Sequence, residues 1–245
     1  MKPLSAYAES GCDIVSRMNR TTLLGLGVLV VLLAGYFLFF YTSRDSGATG
    51  GTATSTPAQV TTKSVEEDNT EYSIDVQYPE FGIPAFDTEI SKTIQVAVEE
   101  LKKQAATDKP VANGFRKYEL YGRVSGTYLD ANIANAKIVL AQDFGGAHPL
   151  PIVATFNFDR KTETLISLDS ALARLGLTLP QMASEAKAQL DATLGDDIIA
   201  PEGADAKVEN YQTFIVGVNS VTFIFQPYQV APYSAGMPEV VFARQ

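Results

Sequence analysis

Leu23 to Tyr41 is a run of 19 residues without a charged side chain. As a helix rising 1.5 Å per residue it spans about 28 Å, close to the hydrocarbon thickness of a bilayer. Soluble helices keep a polar face, and a cleaved signal peptide has a shorter apolar core of about 7–15 residues. The run therefore reads as an uncleaved transmembrane anchor, with Tyr36 and Tyr41 placing amphipathic rings at the headgroup level. Lys2, Arg17 and Arg20 precede it, whereas Arg44 is the only basic residue after it until Lys63. This asymmetry predicts a cytoplasmic tail (residues 1–22), the helix at 23–41 and an extracytoplasmic C-terminal body on the cell membrane.

The chain carries 19 Lys and Arg against 28 Asp and Glu, a formal net charge of −9, and all of the acidic excess lies after the anchor. That balance argues against nucleic acid as a partner and suits either a basic protein or simple solubility. Cys12, the only cysteine, lies before the anchor. The body must accordingly be held by its hydrophobic core, without disulfides.

Residues 42–67 are rich in Gly, Ser, Thr and Ala and read as a flexible tether reaching about 25–30 Å. Folded structure is expected from near Glu71. Tyr72, Ile74, Val76 and Tyr78 alternate with polar residues as in a half-buried strand. Asp87 is placed to cap a helix whose apolar face is Ile90, Ile94, Val98 and Leu101. Tyr118 to Tyr128 and Ile133 to Gln142 follow as strands, completing a small domain at 68–144. In 145–245 the reading is a strand at Ile152–Phe158, two helices near Ser170–Leu175 and after Pro180, a hairpin around Asn219-Ser220, and a last strand at Val240–Phe242. Tight turns outnumber crossovers, so the expected class is α+β, with largely antiparallel sheets and helices packed on one face.

No catalytic constellation stands out. His148 is the single histidine, too few for a zinc site that draws three or four ligands mainly from His and Cys. Tyr233-Ser234-Ala235-Gly236 has Pro232 where a nucleophile elbow needs glycine. Asp191, Asp196, Asp197, Glu202, Asp205 and Glu209 do not follow calcium-loop spacing and read as a solvated stretch, with a weak calcium site or basic-protein dock as alternatives. No metal or other cofactor is expected.

Two segments resemble a known family. Gly145-Gly146-Ala147-His148-Pro149, followed by Phe156-Asn157-Phe158-Asp159, and the longer Phe225-Gln226-Pro227-Tyr228-Gln229-Val230-Ala231-Pro232-Tyr233-Ser234-Ala235-Gly236 are similar to the signatures of one extracytoplasmic domain family. It is shared by the lysozyme-sensing anti-sigma factor RsiV and the N-terminal region of the peptidoglycan deacetylase PdaC. Tail 1–22 is short for RsiV's sigma-factor-binding part, and no equivalent of PdaC's catalytic domain is expected. The resemblance implies a non-catalytic binding or sensing module at the cell envelope, its partner a lysozyme-like basic protein or peptidoglycan. A glycan-processing enzyme or accessory subunit is the alternative. It also implies a ligand-binding surface at His148, Pro149, Tyr228, Tyr233 and Gly236. The two irregular segments are expected to lie against each other, as a structural corner or as a recognition surface.

Overall fold

The computed structural model describes residues 60–244. The expected anchor at 23–41 lies outside them, and among the described residues no helix is long and apolar enough to cross a membrane.

Six strands form the larger sheet: β1 (Thr61–Asp68), β2 (Tyr72–Glu80), β3 (Tyr118–Leu129), β4 (Ile133–Asp143), β5 (Leu150–Asp159) and β6 (Thr164–Leu165), paired in that order. Only β2 and β3 run parallel, joined by the long helix α1 (Pro84–Asp108); the other neighbours are antiparallel. The sheet is continuous through β4 and β5, which pair from Ile133↔Asp159 to Gln142↔Leu150 across the break at Gly145. A second, three-stranded antiparallel sheet contains β7 (Phe214–Val216), β8 (Ser220–Ile224) and β9 (Glu239–Ala243). It shares a core with α2 (Leu168–Leu175) and α3 (Leu179–Leu194), built around Leu172, Met182, Ala186, Tyr211, Phe223 and Phe225.

The expected apolar face of α1 is buried, with Ile90, Ile94, Val98 and Leu101 all inside. The helix starts earlier than expected: Ile83 is the N-cap and Pro84 follows it. The Asp87 carboxylate instead reaches back to the amides of Phe81 (2.7 Å) and Ile83 (2.9 Å), closing the turn before the helix. Proline at the first helical position loses no intrahelical bond, because that amide has no partner there.

The tether expected to run through Glu67 ends earlier, because Thr61–Asp68 is β1. All eight residues pair with β2, Glu67 accepts from Tyr72 Oη (3.1 Å) and Lys102 Nζ (2.6 Å), and Lys117 pairs with Asp68. Only Val65 and Glu67 are even half-buried, so the strand has no apolar alternation to reveal it. Pairing to a neighbour sets its conformation, not its own composition.

Helices were expected on one face of the sheets, and they divide between two. Phe158 of β5 touches Phe86 of α1 (ring centroids 5.3 Å apart), while its neighbour Asn157 bonds to β7. Successive strand residues point to opposite faces. The larger sheet is therefore a middle layer, with α1 on one side and the smaller sheet, α2 and α3 on the other.

Side-chain amides and a hydroxyl join the two sheets. Asn157 Nδ2 donates to Phe214 O (2.7 Å), and Val216 N donates to Asn157 Oδ1 (2.8 Å). Asn135 Nδ2 donates to Val216 O (2.9 Å), and Phe214 N donates to Thr155 Oγ1 (3.1 Å). Asn135, Thr155 and Asn157 are all buried. They complete the edge of β7 as a neighbouring strand would, satisfying backbone groups that water cannot reach.

Candidate functional site

The segment Phe225–Pro238 has no regular ladder, yet nearly every turn of it is fixed. Phe225 N donates to Pro238 O (2.8 Å). Gln226 mimics a peptide group against β5: its Oε1 accepts from Val153 N (2.9 Å) and its Nε2 donates to Val153 O (2.8 Å). Gln229 Oε1 accepts from Gln226 N (2.9 Å), and its Nε2 donates to Gly203 O (3.0 Å) and Asn210 O (2.9 Å). Val230 O receives the amides of Ile199 and Ala200. Beneath the crossing, Tyr211 is buried edge-on to Phe223 and Phe225, and its hydroxyl donates to Ala204 O (2.7 Å). Burial, with the nearby Asp205 charge adding to it, pushes the Tyr211 phenol up to about 12.

On this frame, Gln226-Pro227-Tyr228-Gln229 forms a turn closed by Gln229 N to Gln226 O (3.0 Å), with Tyr228 at φ 67°. A proline followed by a positive φ is type II geometry, where glycine or asparagine is usual. A bulky ring held in this conformation is strained and marks a position to be explained by its side chain. Pro232 then leads into a short 3-10 turn, Tyr233–Ala235, which Gly236 ends at φ 70°.

The opposing loop is set from below. The buried Asp143 carboxylate accepts from Gly145 N (2.8 Å) and pairs with Arg116 (3.3 Å), whose guanidinium also donates to Gly146 O (3.2 Å). Gly145 has φ 78°, a conformation glycine adopts without cost. The loop thereby carries His148 onto the crossing. The His148 and Tyr233 rings lie 4.0 Å apart, centroid to centroid, at 33°. Tyr228 and Tyr233 follow at 6.0 Å. Pro149 O accepts from His148 Nδ1 (3.0 Å) and from Tyr233 Oη (3.4 Å). A carbonyl only accepts, so Nδ1 carries a proton, and Nε2 lies 3.5 Å from Tyr228 Oη.

Of the five expected site residues, four therefore meet, and Gly236 terminates the turn that presents Tyr233. The cluster faces solvent: Tyr228 is 48% exposed, Tyr233 36%, and His148 is exposed as well. Both imidazole nitrogens are engaged, one by a backbone carbonyl and one by a phenol. The acidic stretch is distributed over the end of α3 and three short 3-10 helices, where its backbone supports the crossing, and Asp205 is paired to Lys187 (2.7 Å) and Lys207 (3.7 Å). Among the described residues no group of three His, Cys, Asp or Glu could hold a metal ion. Arg116 and Gln226 were not expected at the site. Their roles depend on which carbonyl and carboxylate the fold brings near, and nothing in local sequence announces that.

Residues 172–245 match DUF3298, a family described as a protein of unknown function. The matched residues begin within α2 and include Tyr228, Tyr233 and Gly236, while His148 and Pro149 come from the β4–β5 connection before them. The crystal structure of a DUF3298 family protein from Pseudomonas aeruginosa PAO1 superposes with a TM-score of 0.52 at 15% identity, covering 78% of this chain and 95% of that one. It shares the fold. Peptidoglycan-N-acetylmuramic acid deacetylase PdaC of Bacillus subtilis is 22% identical over 214 residues, 83% of this chain and 45% of PdaC. Immunogenic protein MPT64 of Mycobacterium tuberculosis is 27% identical over 103 residues, 42% of this chain and 45% of MPT64. The chain thus spans under half the length of these curated relatives.

Proposed function

We propose that this chain is a membrane-anchored extracytoplasmic binding module that holds peptidoglycan glycan on the His148–Tyr228–Tyr233 surface without processing it. The observation that carries the reading is three solvent-facing rings in mutual contact, one of them in a strained backbone conformation, on a frame fixed by the half-buried side-chain amides of Gln226 and Gln229. Exposed rings add little to a core, whereas rigid aromatic area is what recognition surfaces are built from. The C–H faces of a sugar ring pack against such area, and the N-acetyl groups offer partners to the phenol hydroxyls. Similarity to PdaC, whose name specifies a peptidoglycan substrate, supports the choice of ligand. The engagement of the two His148 nitrogens by a backbone carbonyl and a phenol supports binding rather than catalysis.

A second ligand class, a lysozyme-like basic protein, is favoured by the net charge of −9 and by the RsiV side of the sequence resemblance. Salt separates the two, since attraction to a basic protein weakens steeply with ionic strength and ring stacking does not.

The test is sedimentation of the purified chain with insoluble peptidoglycan at low and high salt. Tyr233→Ala and His148→Ala should each weaken retention about tenfold or more, the loss expected of an interface anchor. Their melting temperatures should stay within about 2 °C of the parent, because exposed substitutions are usually near neutral. Unchanged retention in both variants, or release of shortened or deacetylated glycan by the parent, would overturn the proposal.

A further inference from the structure

We infer that β1 is a dimerisation edge whose occupant is the β1 strand of a second copy of this chain, antiparallel and centred on Val65. The first support is a contrast between edges. Strand β7 is completed by Asn135, Thr155 and Asn157, and Val153 of β5 is paired both ways by Gln226. In β9, Val241 N donates to Gln189 Oε1 (3.0 Å) and Val241 O accepts from Gln189 Nε2 (3.2 Å). The outer edge of β1, eight residues long, has no such partner among the described residues. An uncovered edge of this length is a template for another strand.

The second support is which groups face outward. At the closed end of the β1–β2 hairpin, Asn69 N donates to Tyr72 O (3.0 Å). Antiparallel bonding alternates, so odd-numbered residues of β1 bond to β2 and the N–H and C=O groups of Thr62, Ser64, Glu66 and Asp68 face the free edge. Two copies related by a twofold axis normal to the sheet pair only residues of like parity, which keeps both faces aligned.

The third support is charge. With Val65 opposite Val65, Lys63 meets Glu67 of the other copy twice, Ser64 meets Glu66, and Thr62 meets Asp68. Shifting the centre to Lys63, Glu66 or Glu67 sets like charges against each other, and centring on Ser64 pairs no opposite charges. Charges on an edge strand ordinarily deter pairing; here one register makes them self-complementary. In that register Val65 is a non-hydrogen-bonded pair, the closer of the two kinds, with Cα atoms about 4.5 Å apart.

The experiment uses the full chain in membranes on a Cys12→Ser background, oxidised with copper phenanthroline. Val65→Cys should form a disulfide-linked dimer, the geometry being within the range a disulfide tolerates. Lys63→Cys and Glu67→Cys alone should link about tenfold less, and the two co-expressed should link to each other. Lys63→Glu should reduce the Val65→Cys yield roughly tenfold, since it turns two favourable cross-strand pairs into repulsive ones. Adding Glu67→Lys should restore the yield. Equal yields at 63, 65 and 67, no dimer at 65, linkage at 65 only to another protein, or failure of the charge swap to restore the yield would each overturn the inference.

Discussion

Asn157→Leu should destabilise the domain by about 2–6 kcal/mol. The side chain is 4% exposed, and both ends of its amide bond to the backbone of β7, at 2.7 Å to Phe214 O and 2.8 Å from Val216 N. Leucine keeps the volume and removes both bonds. Phe214 O and Val216 N would then be buried without partners, at about 1–3 kcal/mol each. Domain stabilities are themselves about 5–15 kcal/mol, so the variant approaches the limit of folding. Asn135 still bonds to Val216 O (2.9 Å), which is why detachment of the small sheet should be partial. The denaturant midpoint measures the loss. A change below about 1 kcal/mol would mean that β7 is held by core packing and not by this amide.

Gly203→Ala should cost about 3 kcal/mol or more and disable the aromatic surface as well. A Cβ at position 203 would sit 1.8 Å from Gln229 O and 2.7 Å from its carbonyl carbon. Both are backbone atoms, so the two chains must part. Parting them breaks the bond from Gln229 Nε2 to Gly203 O and frees the turn that holds Tyr228 at positive φ. Forcing extra volume into a packed interior ordinarily costs about 1–3 kcal/mol, and displaced backbone adds to that. Gly146→Ala is the matched control. Its nearest neighbour to an added Cβ is 3.9 Å away, and stability should change by less than about 0.5 kcal/mol. Equal effects at the two glycines would show that the crossing tolerates displacement.

These residues also show where sequence reasoning stops. The apolar face of α1 is legible because Ile90, Ile94, Val98 and Leu101 repeat at helical spacing, and burial follows that period. Strands β4 and β5 are legible as long, largely apolar runs, and the first half of β3 as an alternation of buried and more exposed residues. The meeting of His148 with Tyr233 was expected from two irregular segments rich in Gly, Pro and Tyr, and the rings lie in contact. Strand β1 was hidden because TTKSVEED is nearly all polar, its strand conformation supplied by β2. Asn157 was visible only as part of a family-like motif. Its double bond to β7 joins residues 57 and 59 apart in the chain, and no local pattern encodes that. Gly203 lies in the acidic stretch, where charge drew the reading toward solvent or calcium, whereas its function is to let Gln229 approach.

The central claim is that the His148–Tyr228–Tyr233 surface binds peptidoglycan glycan, and the single histidine of the chain makes it directly observable. The imidazole proton resonances of the full chain in lipid nanodiscs, followed by NMR during titration with soluble N-acetylated peptidoglycan fragments, belong to one residue alone. A saturable shift of the His148 signals is expected, lost in Tyr233→Ala while that variant stays folded. Binding that saturates without moving the His148 signals, or no binding at millimolar fragment, would contradict it.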